Sequence, residues 1–251
     1  SDSIINSDHS KLNDLDIQCV IVAGGKGSRL RPFTENIPKS MIPIHGLPFL
    51  HWLIKRISNH NISRFLILTG YGGNQIQDYF GDGNKFDCSI DYSHEEHPLG
   101  SGGALWAASK FLDNEFFYVN GDDYLDINFM KMMYNFKKNN VLAMVAVNMN
   151  SNGQLKVDEQ TGLVTDFTLS YSNPYLDCGT KIFNKSMITL FSPECPFDLE
   201  PKLWPILIEK QELAVFPINS VGRGINTKKQ LEEFISWFGN TEFLLQRNSS
   251  G

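Results

Sequence analysis

A five-residue apolar run, Cys19-Val20-Ile21-Val22-Ala23, passes without a break into Gly24-Gly25-Lys26-Gly27-Ser28-Arg29-Leu30. A short β-branched run bounded by glycine reads as a strand buried on both faces. Glycines directly after such a strand let the backbone approach a ligand closely. Successive N–H groups in the turn form a nest for an anion. Arg29, and Lys39 behind Pro38, add two cations that can reach the same phosphates. The loop is not a Walker A loop, because no Gly-Lys-Ser/Thr closes it, and it lacks the third glycine of a dinucleotide fingerprint. An ordinary strand–helix turn with surface basic residues is the plainer alternative for the glycines taken alone.

Downstream, apolar residues at helical spacing over 49–57 are followed by a buried strand at 65–69 and a short helix at 76–80. A strand at 88–92, a helix over 102–111 and a strand at 116–120 continue the pattern. Such alternation implies a doubly wound sheet with helices on both faces. From 141 the texture changes. The pattern gives a strand at 141–147, a hairpin over 153–169 turning at Thr161-Gly162, and a strand at 180–183. A helix broken by prolines over 199–208, a strand at 213–218 and a closing amphipathic helix over 228–246 follow. The expected class is α/β: a mixed, mainly parallel, Rossmann-like sheet with a small C-terminal β elaboration. One domain is expected over 17–246, with a flexible leader at 1–16 and a flexible tail at 247–251.

The chain of 251 residues can bury a sizeable core, and its 41% apolar content excludes a disordered chain, a collagen or a coiled coil. A net charge of −6 leaves no footprint for nucleic acid, so an anionic ligand must be held by a local pocket. The four cysteines, Cys19, Cys88, Cys178 and Cys195, form no zinc or disulfide pattern. No apolar run approaches the roughly 20 residues that span a bilayer. A cytoplasmic location away from membranes is expected.

Two further stretches bear chemistry. Pro98-Leu99-Gly100-Ser101-Gly102-Gly103 sits between a strand and a helix, where a flexible loop or a close approach to a flat ligand both fit. Val119-Asn120-Gly121-Asp122-Asp123 ends a strand, the place where open α/β sheets bind ligands. A carboxylate facing a polyphosphate needs a cation between them, so Asp122 is a candidate Mg²⁺ ligand; an Asx turn is the plainer reading. The run His94-Glu95-Glu96-His97 reads as a solvated loop and not a metal cluster. The four tryptophans read as core or interface residues.

In order and spacing, the glycine loop with Pro38-Lys39, the 98–103 loop and Asn120-Gly121-Asp122 resemble the sugar-1-phosphate nucleotidyltransferases, over about 18 to 236. The branch most resembled contains heptose- and aminosugar-1-phosphate guanylyltransferases. The resemblance implies transfer of a nucleotidyl group from an NTP, GTP favoured, to a sugar 1-phosphate, giving an NDP-sugar for a surface glycan and pyrophosphate. It implies nucleotide contacts from Ala23, Gly24, Gly25, Gly27, Ser28, Gly100 and Gly103, and catalytic roles for Arg29, Lys39 and Asp122. Asp122 is implied to hold Mg²⁺, and Gly121, Asp177 and Gly179 to face the sugar phosphate. Relatives place a second metal-binding Asp shortly before the last helix. Here Ser220 or Gly224 aligns with it, and Asn226 offers an oxygen nearby. The Glu-Lys pair of many relatives is replaced by Thr168-Leu169-Ser170. These departures keep two alternatives open: a non-sugar phosphate acceptor, and an inactive nucleotide-sugar-binding regulatory subunit. Substrates are thus an NTP and a sugar 1-phosphate, and a homo-oligomer is left open.

Overall fold

The computed structural model describes residues 16–248, apart from 150, 192, 193, 195 and 221. The leader expected at 1–16 lies outside the described residues except for Asp16, as do residues 249–251 of the expected tail. Strand β1 (Gln18–Val22) opens the chain. A minimal hairpin of β2 (Pro43–Ile44) and β3 (Leu47–Pro48) leads into helix α1 (Phe49–Ser58). Then come β4 (Arg64–Thr69), α2 (Gly73–Phe80), β5 (Ser89–His94) and α3 (Gly100–Ala107). Next are β6 (Glu115–Asn120), the two-residue β7 (Asp123–Tyr124), α4 (Phe129–Asn139) and β8 (Ala143–Asn148). The hairpin of β9 (Leu155–Val157) and β10 (Val164–Phe167) precedes the long β11 (Leu176–Asn184). Helix α5 (Leu199–Glu209), β12 (Leu213–Ile218), β13 (Arg223–Gly224) and α6 (Lys228–Asn248) close the fold.

The main sheet has seven strands in the order β12-β8-β11-β6-β1-β4-β5. All neighbours run parallel except β11, which lies antiparallel between β8 and β6. The mixed, mainly parallel α/β sheet expected from the sequence is the one observed. Side-chain alternation explains why both faces are covered. On β6, Phe117 and Val119 join the core under α1, α2, α4 and α6, while Phe116 and Tyr118 join the core under α3 and α5. Strand β1 splits the same way, with Cys19 and Ile21 on one side and Val20 on the other. Trp52 and Trp204 are buried as expected, whereas Trp106 on α3 is 38% exposed. The helix expected to break at its prolines instead runs through Pro205.

The chain's most deeply buried lysine lies in β11. The Lys181 ammonium is 3.1 Å from Asp177 Oδ2 and 2.8 Å from Glu200 Oε1, which ties the antiparallel strand to α5. Burial opposes its charge, yet the carboxylates of Asp177 and Glu200 hold its pKa above the ordinary lysine value. Removing one member of a buried ion cluster leaves the rest uncompensated, at about 3–5 kcal/mol. Lys181→Met is therefore expected to lower the melting temperature by on the order of 10 °C. Thermal unfolding followed by circular dichroism measures it; a melting temperature equal to that of the parent would show that the cluster contributes no net stability.

Candidate active site

The chain runs from β1 to β4 and β5 on one flank, then returns to place β6 on the other flank of β1. That reversal leaves a crevice outside the carboxyl ends of β1 and β6, the usual ligand position in an open α/β sheet. Val22 stands in register with Asn120. Gly121 N then donates to Val22 O at 2.8 Å. A Cβ on Gly121 would lie 2.6 Å from that same oxygen, so only glycine lets the two strand ends close on each other.

The glycine loop is fixed from within. Gly27 adopts the left-handed conformation with φ of 63° and begins the 3-10 turn Ser28–Leu30. Its carbonyl accepts from Leu30 N at 2.8 Å and from Thr34 Oγ1 at 2.7 Å. Pro38, extended with ψ of 151°, delivers Lys39 into the next 3-10 turn. The Lys39 stem packs so tightly on Gly27 that a Cβ there would meet Lys39 Cβ at 3.0 Å.

The resulting hollow has a volume of about 310 Å³. Ala23, Gly25, Gly27, Ser28 and Arg29 line it together with Lys39, Ser40, Asn120, Gly121, Asp122 and Asn226. A second hollow of about 640 Å³ shares Val22 and Gly25 with it and is lined by Gly24, Thr69, Tyr71, Glu95, Gly100 and Ser101 among others. Of the residues singled out from sequence, Ala23, Gly25, Gly27, Ser28, Arg29, Lys39, Gly121 and Asp122 gather in the first hollow, and Gly24 and Gly100 in the second. Three stand elsewhere. Gly103 is buried inside α3. Asp177 turns its carboxylate to Lys181 and to Gly179 N, the latter at 2.8 Å. Gly179, at φ of 80°, backs onto the 120–123 loop, where a Cβ would lie 2.6 Å from Asp123 Oδ2.

Charge in the first hollow is concentrated at its base. Lys39 Nζ pairs with Asp122 Oδ2 and also donates to Asn226 Oδ1. Asp123, next to Asp122, is half-buried and accepts from Asn120 Nδ2 at 3.1 Å. Burial, reinforced by the neighbouring Asp122 charge, pushes its carboxyl up to about 6. Among the described residues no group of three or more His, Cys, Asp or Glu side chains stands together as a metal cluster. Two oxygens from separate elements do converge, because both Asp122 Oδ2 and Asn226 Oδ1 reach the same ammonium. One carboxylate and one amide oxygen suit Mg²⁺, which keeps water and substrate phosphate oxygens as its remaining ligands. Of the three residues considered from sequence for the second oxygen, Ser220 instead donates to Asp126 O at 2.9 Å and Gly224 pairs with Asp123 in the β13–β7 bridge. Asn226 is the one brought to Asp122.

Glu95 is a residue that sequence reasoning passed over as part of a solvated loop. Its Oε2 accepts from Leu99 N at 3.0 Å, which anchors the start of the 98–103 loop. Its Oε1 lies against Gly70, where a Cβ would come within 2.7 Å of it, and against Gly24. A carboxylate therefore stands at the junction of both loops and β4. Its position at the carboxyl end of the strand feeding the 98–103 loop was the available signal.

The nucleotidyl transferase family model matches residues 18–190. The chain is 29% identical over 207 residues to the mannose-1-phosphate guanylyltransferase of Mycobacterium tuberculosis, covering 80% of this chain and 58% of that protein. It is 36% identical over 145 residues to the D-glycero-alpha-D-manno-heptose 1-phosphate guanylyltransferase of Campylobacter jejuni, covering 57% of this chain and 65% of the relative. The crystal structure of HddC from Yersinia pseudotuberculosis superposes with a TM-score of 0.76 at 24% identity, covering 88% of this chain and 99% of that one. HddC has also been solved complexed with GMP-PN. With its switch-point crevice, its glycine loop and a family match that runs from β1 into the 3-10 turn after β11, the chain belongs to the nucleotidyl transferase family.

Proposed function

We propose that this chain transfers a guanylyl group from GTP to a sugar 1-phosphate. The observation that carries the reading is a single hollow that gathers Gly25, Gly27 and Arg29 of the glycine loop together with Lys39 and Asp122. A sugar-phosphate oxygen attacks the α-phosphorus of the nucleotide. The bond from that phosphorus to the bridging oxygen of the β-phosphate breaks, and pyrophosphate leaves with the electron pair. The attacking oxygen is already anionic, so no general base is required. Alignment and charge neutralisation carry the reaction.

In this reading the loop N–H groups of residues 24–28 cradle the triphosphate and Arg29 grips the departing pyrophosphate. Lys39 lies between the α-phosphate and the sugar phosphate, with Gly121 at the acceptor side. Asp177 and Gly179 act from beneath, holding the strand end against Asn120 and Asp123. Mg²⁺, held by Asp122 and Asn226, neutralises phosphate charge when bound. No helix among the described residues is long and apolar enough to cross a membrane. A cytoplasmic enzyme feeding a surface glycan fits this set.

Guanine is the base best matched to the second hollow. Guanine presents N1–H and the N2 amino group side by side, two donors facing one way, and an ionised carboxylate is a pure acceptor that takes both. Uracil and thymine place one N–H between two carbonyls, which a carboxylate repels. Glu95 supplies that acceptor. The two relatives with guanylyltransferase names support the same base.

Two outcomes follow for steady-state pyrophosphate release. Arg29→Ala is expected to lower kcat by ~100-fold, as expected when one preorganised donor is lost from a developing charge. A change confined to KM for the sugar phosphate contradicts that role. Glu95→Gln is expected to cut kcat/KM for GTP by about 100-fold, by turning one acceptor into a donor against guanine, with little effect on ATP or UTP. Unaltered preference for GTP in Glu95→Gln contradicts the base assignment.

A further inference from the structure

The two oxygens that suit a divalent cation are both already engaged by one side chain. Lys39 Nζ pairs with Asp122 Oδ2 and donates to Asn226 Oδ1, and Lys39 is only 9% exposed. An ammonium and a divalent ion compete for this seat, because both draw on the same two oxygens and their like charges repel each other. The stem of Lys39 is clamped at Gly27, where a Cβ would meet Lys39 Cβ at 3.0 Å and Cγ at 3.3 Å. Only the far end of the side chain is left to swing. Gly27 itself belongs to the loop that faces the phosphates.

We infer that Lys39 is an internal counter-ion for the metal seat, exchanged for the divalent cation when metal and nucleotide bind together. This rests on the nucleotidyl-transfer reading above and deepens it. The ammonium satisfies the Asp122 carboxylate and the Asn226 amide until a divalent ion takes them. Released, it pivots about its clamped stem to the phosphate oxygens that arrive with the ion. Its new partners carry more negative charge than the ones it gives up. Two consequences follow. The protein does not hold a bare divalent ion tightly, because the ion must expel Lys39 with no phosphate to receive it. And the lysine reaches the α-phosphate only once the metal is seated, so charge neutralisation and metal loading occur together.

The test uses Mn²⁺ as the probe, titrated by electron paramagnetic resonance without nucleotide. Lys39→Met and Lys39→Gln are expected to bind Mn²⁺ about tenfold more tightly than the parent, the weight of one charge-assisted hydrogen bond no longer competing. Two different replacements guard against a local collapse peculiar to one. Arg29→Met removes an exposed cation from the same hollow. It is expected to change Mn²⁺ affinity by less than about threefold, since an exposed charge is screened by solvent and salt. Equal Mn²⁺ affinity in the parent and both Lys39 variants overturns the exchange. So does an equal gain in Arg29→Met, which reduces the effect to general loss of positive charge. A separate arm addresses the underlying reading: Asp122→Asn is expected to lose Mn²⁺ affinity when GTP is present, and undiminished binding there overturns the metal seat itself.

Discussion

Strands β1 and β6 leave the sheet side by side, and the hydrogen bond from Gly121 N to Val22 O holds their ends together at 2.8 Å. The candidate site hangs from that contact. It brings Gly25 and Gly27 of the glycine loop into one hollow with Asn120, Gly121 and Asp122. A side chain at 121 would push the two ends apart, because its Cβ would overlap the carbonyl it pairs with. The small β13–β7 bridge then draws the segment before α6 across the same end of the sheet, with Ile225 N donating to Asp122 O at 3.0 Å, and so carries Asn226 to the hollow. The site is assembled from three distant parts of the chain by backbone pairing alone.

In the proposed transfer, the electrostatic problem is the meeting of two phosphates. At ~4 Å and an effective dielectric near 20, two unit charges repel by about 4 kcal/mol, and phosphates carry more than one charge each. Arg29 and Lys39 bring positive charge to the hollow, in a chain whose net charge is −6. Local arrangement therefore outweighs the global field. Behind Asp122, the Asp123 carboxyl is raised to about 6 and accepts from Asn120 Nδ2 at 3.1 Å. The buried Lys181, with Asp177 and Glu200, performs a structural version of this balance one layer deeper, bracing the antiparallel strand that supports the 120–123 loop.

Much of this was legible in the sequence because it is local. The apolar run at 19–23 leads straight into glycine, and Val119-Asn120-Gly121-Asp122 ends a strand; both patterns depend only on neighbouring residues. The hairpin turning at Thr161-Gly162 and the closing helix were readable for the same reason. What escaped depends on contacts far apart in the chain. Strand β11 extends from Leu176 to Asn184, well beyond the expected 180–183, because β8 pairs with Leu176 and the polar Asp177, while Lys181 is paired by both β8 and β6. Lys181 is hidden from periodicity, since a lysine reads as exposed until Glu200 arrives from α5. Asn226 was one of three residues considered for the second metal oxygen, and only the β13–β7 bridge selects it. Glu95 looked like solvent-facing charge because its partners, Leu99 N and the Gly24–Gly70 approach, come from loops.

The central claim is that the crevice between β1 and β6 joins a nucleotide to a sugar phosphate. Pyrophosphate release across a small panel of nucleoside triphosphates and sugar 1-phosphates, with Mg²⁺ present, tests it most directly. The account predicts release only when GTP and a sugar 1-phosphate are supplied together, one pyrophosphate for each GDP-sugar formed. Release from GTP alone at the same rate, or none with any sugar 1-phosphate while nucleotide still binds, would contradict it.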